Sequence, residues 1–343
     1  MHPAKHYLIV IVAASLALCG TTRAADADKD AKPLRAGIIG LDTSHVIAFT
    51  KLFNDPKAEG DLAAIKVVAA FPGGSQDIAS SRDRVVGYTS DLKAMGVEIV
   101  DTIPALLEKV DVVLLESVDG RPHLEQVRPV FAAGKPVFID KPLAGTLADA
   151  IAIDALAKKH NAVWFSSSAL RFCTNIPTMR TSEQVGQVTG CDAWSPCSIE
   201  PTHPDLFWYG IHGVEILYTI MGPGCESVTR ARTDTAEVVT GTWKDGRVGI
   251  FRGIKKGKQD YGAMVYGTKG NLASGGYDSY KGLVQQIAIF FKSHKPPVNA
   301  EDTLEIMAFM EAADESKRQG GAPVKLESVI AKAREQAKAR VGD

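Results

Sequence analysis

The stretch "LRAGIIGLDTSHV", residues 34–46, constrains the fold more than any other part of the chain. An apolar strand from Leu34 to Ile39 is closed by Gly40 and followed at once by helix-forming sequence. Strand, glycine turn and helix in that order open a parallel α/β unit, because parallel neighbours need a crossover. The pattern then recurs, with apolar runs at 65–71, 97–100, 111–116, 136–140 and 162–167 separated by helical stretches. Runs such as Val112-Val113-Leu114-Leu115 are apolar throughout, as strands buried on both faces must be. Leu147 to His160 reads as the helix before the last strand, with Ile151, Ile153, Leu156 and Ala157 as its apolar residues. Residues 34–168 are therefore read as α/β, a Rossmann-like doubly wound parallel sheet.

Past residue 168 the pattern changes. β-rich segments fall at 187–199, 226–243, 247–254 and 261–267, with Lys244-Asp245-Gly246-Arg247 as a hairpin turn. A helix from Asp205 to Ile220 interrupts them and stops at Gly222-Pro223-Gly224; further helices are read at 283–293, 301–319 and 326–340. Residues 169–343 thus read as an α+β domain with an open, mostly antiparallel sheet. At the other end, Lys5 precedes an apolar run from Tyr7 to Leu18, and small residues lead to Ala24 with Thr22 at −3. Residues 1–24 read as a Sec-type signal peptide and 25–33 as a linker, which predicts a periplasmic or secreted protein without a membrane anchor. A formal charge of −1 without basic clusters excludes nucleic acid as a partner. Cys173, Cys191, Cys197 and Cys225 remain after cleavage, as free buried thiols or as disulfides in one of three pairings.

Several segments together resemble the glucose–fructose oxidoreductase / inositol dehydrogenase family, Gfo/Idh/MocA. In "VFAAGKPVFIDKPLAGTLADA" a helix, A-G-K and a strand lead to Asp140-Lys141-Pro142, where the family has E-K-P. "RPHLEQVRPVFAAGK" places His123 where the family has a His, and "DLFWYGIHGVEILYTIMG" places His212 at the family's active-site His. "YGTKGNL" and "AFMEAADESKRQG" match a later glycine turn and a late helix.

The resemblance implies a sugar or polyol substrate, NAD or NADP as cofactor, and hydride transfer between them. Lys141 and His212 are then the acid–base residues, which must reach the substrate hydroxyl with suitable pKa values. Trp208 stands where the family's assisting Asp is usual, so Asp205 or Glu215 would take that part. At helical spacing Asp205, Trp208, His212 and Glu215 share one face, with Trp208 as a ring platform. Arg171 is placed with the substrate. The residues set around the cofactor are Gly37, Gly40, Asp42, Ser44, His45, Glu116, His123 and Asp140. A homo-oligomer is the family's usual state.

Two of those positions depart from the dinucleotide pattern G-x-G-x-x-G. Counting from Gly40, the second glycine is Asp42 and the third is His45. The second glycine normally lets backbone approach the pyrophosphate. Either Asp42, Thr43 or Ser44 caps the next helix, or Asp42, Ser44 and His45 build a site that replaces cofactor contacts. Glu116 points to the second option, and Phe71-Pro72-Gly73-Gly74 lacks the usual ribose-binding acid, with Asp77 as a late substitute. No metal is predicted, although His203, Asp205, His212 and Glu215 are types that bind zinc. The alternative functions are a non-redox glycoside lyase or hydrolase for keto-sugars, with or without a metal, and a sugar-binding protein.

Overall fold

The computed structural model describes residue 1 and residues 32–342; the signal peptide reading lies outside the described residues. Residues 33–343 form one compact unit. Its first sheet holds β1 (Leu34–Ile39), β2 (Ile65–Phe71), β3 (Glu98–Ile99), β4 (Val112–Leu115), β5 (Val137–Ile139) and β6 (Trp164–Phe165). All pair in parallel, in the order β3-β2-β1-β4-β5-β6. Helices α1 (His45–Phe53), α2 (Ala79–Ala94), α3 (Ile103–Leu107), α4 (His123–Ala132) and α5 (Leu147–Lys159) connect them. The chain winds outward from β1 in one direction and from β4 in the other. A crevice therefore opens at their carboxyl ends, where such sheets bind ligands.

The second sheet contains β7 (Val188–Pro196), β8 (Cys225–Arg232), β9 (Ala236–Trp243), β10 (Val248–Ile254), β11 (Gly262–Gly267), β12 (Asn271–Ala273) and β13 (Val324–Lys325). Its order is β12-β11-β7-β10-β9-β8-β13, antiparallel except where β7 meets β10. The segment read as one β-rich run at 226–243 is a hairpin. Its turn is held by the Thr233 hydroxyl, which accepts from the N–H groups of Thr235 at 3.2 Å and Ala236 at 3.1 Å. The strands β12 and β13 escape sequence reading because three and two residues show no period.

The remaining helices are α6 (Asp205–Trp208), α7 (Ile211–Met221), α8 (Lys281–Ser293), α9 (Ala300–Arg318) and α10 (Leu326–Val341). The helix expected from 205 to 220 is broken between α6 and α7. Tyr209 leaves the helical region at φ −133°, and a Cβ on Gly210 would lie 3.0 Å from the Leu206 carbonyl oxygen. Gly210 permits a tight step there, and the step turns α7 relative to α6. The shared face predicted for Asp205, Trp208, His212 and Glu215 is thereby lost.

One helix crosses the expected domain boundary. α8 lies in the second half of the sequence, yet Leu283, Val284, Ile287, Phe290 and Phe291 join the core of the first sheet. Phe165 bridges Phe138 and Phe290 at ring-centroid distances of 5.0 Å each. Burying a Phe against such neighbours contributes about 1.5–3 kcal/mol. The four cysteines are buried free thiols, and burial pushes Cys173 up to about 11 and Cys197 and Cys225 up to about 12.

Candidate active site

The carboxyl ends of the first sheet and one face of the second half enclose a cleft of about 370 Å³. Thr43, Ser44 and His45 reach it from the turn after β1, Lys141 from the end of β5, and Ser168 from the end of β6. Opposite stand Trp208, Tyr209 and His212, with Tyr261, Tyr277 and Tyr280 from later loops and strands. Lys141 and His212 thus share one cleft, together with Ser44, His45 and Trp208.

His212 is held by Ser168, whose hydroxyl lies 2.8 Å from Nδ1, and it meets Tyr209 and Tyr261 edge-on. Burial, then the Lys141 charge, holds its pKa well below that of an ordinary histidine. His212 is therefore a neutral base at pH 7. Lys141 is 8% exposed, and its ammonium has no hydrogen-bond or ion-pair partner among the described residues. Its backbone N–H donates to Asp140 Oδ1 at 2.8 Å. The other oxygen of Asp140 lies 2.6 Å from His45 Nδ1. Burial alone would raise the Asp140 pKa; the electrostatic attraction and hydrogen bond of the His45 imidazole outweigh it and hold the carboxyl low.

Glu116, at the end of β4, behaves in the opposite way. It is fully buried, and neither carboxyl oxygen has a hydrogen-bond partner. Burial, then the Asp140 charge, raises its pKa well above the glutamate range and so favours the neutral acid. Asp42 is also fully buried. Its carboxylate accepts from the Ser81 hydroxyl at 2.6 Å and from the Val118 N–H at 2.9 Å, and it caps no helix. Ser44 occupies the N-cap position of α1 without a side-chain cap bond, and of the three capping candidates Thr43 is the one that meets the start of the helix, its Oγ1 accepting from the His45 N–H at 3.5 Å. Asp42 instead ties the β1 turn to α2 and to the loop after β4.

That loop is tied a second time. Arg121 donates to both oxygens of Asp77 at 2.8 Å and to Asp119 at 2.8 Å. Ser75 adds a 2.6 Å hydrogen bond to Asp119, and His203 Nε2 stands 3.0 Å from it. Burial opposes ionisation of Asp119, but these partners outweigh it and keep its carboxyl far below the usual range. Asp77 is thereby an ion-pair partner of Arg121.

Other sequence candidates sit away from the cleft. Gly37 lies within β1, where a Cβ would meet Val110 at 2.9 Å and Leu106 at 3.0 Å, so its smallness serves packing. Gly40 does belong to the turn, at φ +89°. His123 is buried, its ring nitrogens 3.1 Å from the Leu143 carbonyl and 2.9 Å from the Ser117 carbonyl, so it joins two loops. Arg171 and Glu215 form a buried ion pair with each other, and Ser167 donates to Glu215 at 2.9 Å. Asp205 pairs with Arg230 at 2.7 Å and with Lys317. The broken helix explains Asp205, and the Arg171 and Ser167 contacts explain Glu215: each carboxylate faces its own arginine rather than the cleft. With the four dispersed, no group of three His, Cys, Asp or Glu suited to a metal occurs among the described residues. Sequence reading missed Ser168, the cleft tyrosines, Asp119 and Arg121, which come from loops and element ends without periodic signal, and Ser81 on α2.

Residues 34–168 match the family model described as "Oxidoreductase family, NAD-binding Rossmann fold" (GFO_IDH_MocA). Over these residues the chain is similar to the Gfo/Idh/MocA family. NAD is the cofactor that the family binds. The fold extends the likeness beyond the matched domain. Scyllo-inositol dehydrogenase from Lactobacillus casei, crystallised with NAD(H) and scyllo-inositol, superposes with a TM-score of 0.70 at 15% identity, covering 86% of this chain and 100% of that one. An oxidoreductase from Agrobacterium radiobacter, in complex with NAD+, L-tartaric acid and magnesium, gives a TM-score of 0.69 at 16% identity, covering 87% and 100%. No curated protein sequence matches the chain.

A dinucleotide in a Rossmann-like domain runs its pyrophosphate over the turn after β1 and the start of the next helix. Here the buried Asp42 carboxylate lies in that turn, joined to Ser81 and Val118. The position of the second glycine thus carries a side chain whose carboxylate is engaged within the protein.

Proposed function

We propose that the protein is an enzyme acting on a sugar or polyol, in which Lys141 and His212 handle the proton of one substrate hydroxyl. The observation that carries this is their convergence on one aromatic-walled cleft, Lys141 with an unpaired ammonium and His212 neutral. With Nδ1 engaged by Ser168, the Nε2 of His212 is the nitrogen left to accept a proton. Lys141 stabilises the oxygen as its charge develops. Trp208 offers an apolar face for a sugar ring.

Similarity to an NAD-binding family supports oxidoreduction, for which NAD or NADP, when bound, would supply the hydride acceptor or donor. The buried Asp42 favours a second reading, in which the same groups act without a dinucleotide as a lyase or hydrolase on keto-sugars. The test is calorimetric titration of the mature protein with NAD and NADP, followed by absorbance assays on an inositol and hexose panel. NAD-linked turnover that is lost in Lys141→Met and His212→Asn supports the first reading. No dinucleotide binding, with ketone-sugar turnover in its absence, overturns it in favour of the second. We also propose that the chain is exported unfolded and assembles afterwards as a homo-oligomer, its signal peptide leaving Ala25 as the mature N-terminus, which intact mass checks.

A further inference from the structure

His45 stands where a dinucleotide turn has its third glycine, and its surroundings are those of a working imidazole. Nδ1 is 2.6 Å from the buried Asp140 carboxylate, while Nε2 has no hydrogen-bond partner among the described residues. The ring stacks on Phe49 at 5.2 Å and 8°, and Tyr280 meets it edge-on at 4.8 Å. Two aromatic walls therefore fix the ring plane, and the carboxylate fixes the tautomer with the proton on Nδ1. His45 itself lines the cleft, next to Lys141 and across from His212. The two carboxyl groups nearby have been driven apart: Glu116 is held neutral and Asp140 ionised. Such a split is how one site assigns separate roles to two acids.

We propose that His45 and Asp140 form an acid–base dyad that enolises a keto-sugar in the cleft, a reaction for which no dinucleotide is needed. His45 Nε2 takes the proton from the carbon beside the carbonyl. The C–H electron pair becomes the new C=C bond, and the carbonyl π pair moves to oxygen, where the Lys141 ammonium stabilises the enolate. Return of the proton to that carbon restores the ketone, so atoms and electrons balance with no oxidant or reductant. His45 is the catalytic residue of this step, and Asp140 is a positioning residue that acts through it. The proposal rests on the reading that the cleft takes a sugar or polyol, and it is independent of whether NAD binds.

The experiment incubates the mature full-length protein, without added dinucleotide, in deuterium oxide with an inosose, D-fructose and dihydroxyacetone. Proton NMR follows exchange at the carbon beside the carbonyl. Wild-type protein is expected to exchange at least one ketone, His45→Asn to lose at least a hundredfold in rate, and Asp140→Asn at least tenfold. His45→Gln serves as the second variant should His45→Asn fail to fold, as judged by near-UV circular dichroism. No exchange by the wild type on any ketone, or a rate within threefold of it in the folded His45 variant, overturns the dyad. Calorimetry with the same ketones separates the two readings. Binding without exchange removes the dyad alone, whereas absence of both removes the sugar reading with it.

Discussion

Two buried charge clusters in this chain are built on opposite terms. Around Arg230, every partner is engaged: Nε and Nη2 donate to Glu237 at 3.1 and 2.9 Å, Nη2 also to Asp205, and Nη1 to Asp314. Lys255 adds a 2.8 Å contact to Glu237, and Lys317 completes Asp205. Around the cleft, valences are left over. The Lys141 ammonium, His45 Nε2 and both oxygens of Glu116 have no partner among the described residues. A buried charge without a partner costs several kcal/mol, so a fold keeps one only where something else uses it. The saturated cluster reads as scaffold and the unsaturated one as a site.

The comparison breaks most visibly at Arg230. Arg230→Met leaves three carboxylates crowded without their cation, and unfolding by urea is expected to show a loss of about 3–5 kcal/mol. Lys141→Met, by contrast, is expected to leave stability within about 1 kcal/mol of wild type and to reduce turnover at least about a hundredfold, roughly 2.7 kcal/mol. Equal losses of stability in the two variants would erase the distinction.

Asp42→Gly sharpens it on the cofactor side. An ionised Asp42 near a pyrophosphate repels it by about 4 kcal/mol per charge pair at 4 Å and an effective dielectric near 20, before screening and rotation reduce the effect. Removing it is expected to tighten NAD binding at least about tenfold by calorimetry, about 1.4 kcal/mol. Unchanged affinity would show that the cofactor is held in another manner. The smallest effect belongs to Glu116→Gln. Because the native pKa of Glu116 is raised by burial, its contribution to stability is present below the ordinary glutamate range and is lost as pH rises through the native value. At pH 5 Glu116→Gln is expected to match wild type within about 1 kcal/mol, and its advantage should grow toward pH 8. A variant less stable at pH 8 than at pH 5, relative to wild type, would contradict a neutral Glu116.

How much of this was legible depends on what each residue answers to. The strands of the first sheet show in the sequence because burial on both faces makes each an unbroken apolar run. Lys141 and His212 show through their motifs, which the resemblance supplies rather than periodicity. The pairing of Asp205 with Arg230 does not show, because the break at Gly210 rotates a helix that spacing alone makes continuous. Asp42 shows as a departure from a pattern, but its partners, Ser81 on α2 and Val118 in the loop after β4, are distant in sequence and only three dimensions reveal them. The tyrosines around the cleft are invisible for the same reason: each is an isolated aromatic until the chain folds.

The helix α8 carries a consequence for how this molecule is made. Phe290 and Phe291 close the aromatic face of the first sheet, yet they are encoded more than a hundred residues after its last strand. During synthesis or refolding from the amino end, the α/β half therefore waits with Phe49, Phe138 and Phe165 uncovered until the second sheet has been threaded out. Vectorial folding, domain by domain, is closed to this chain, and a fragment cut at residue 168 inherits the gap as a sticky surface.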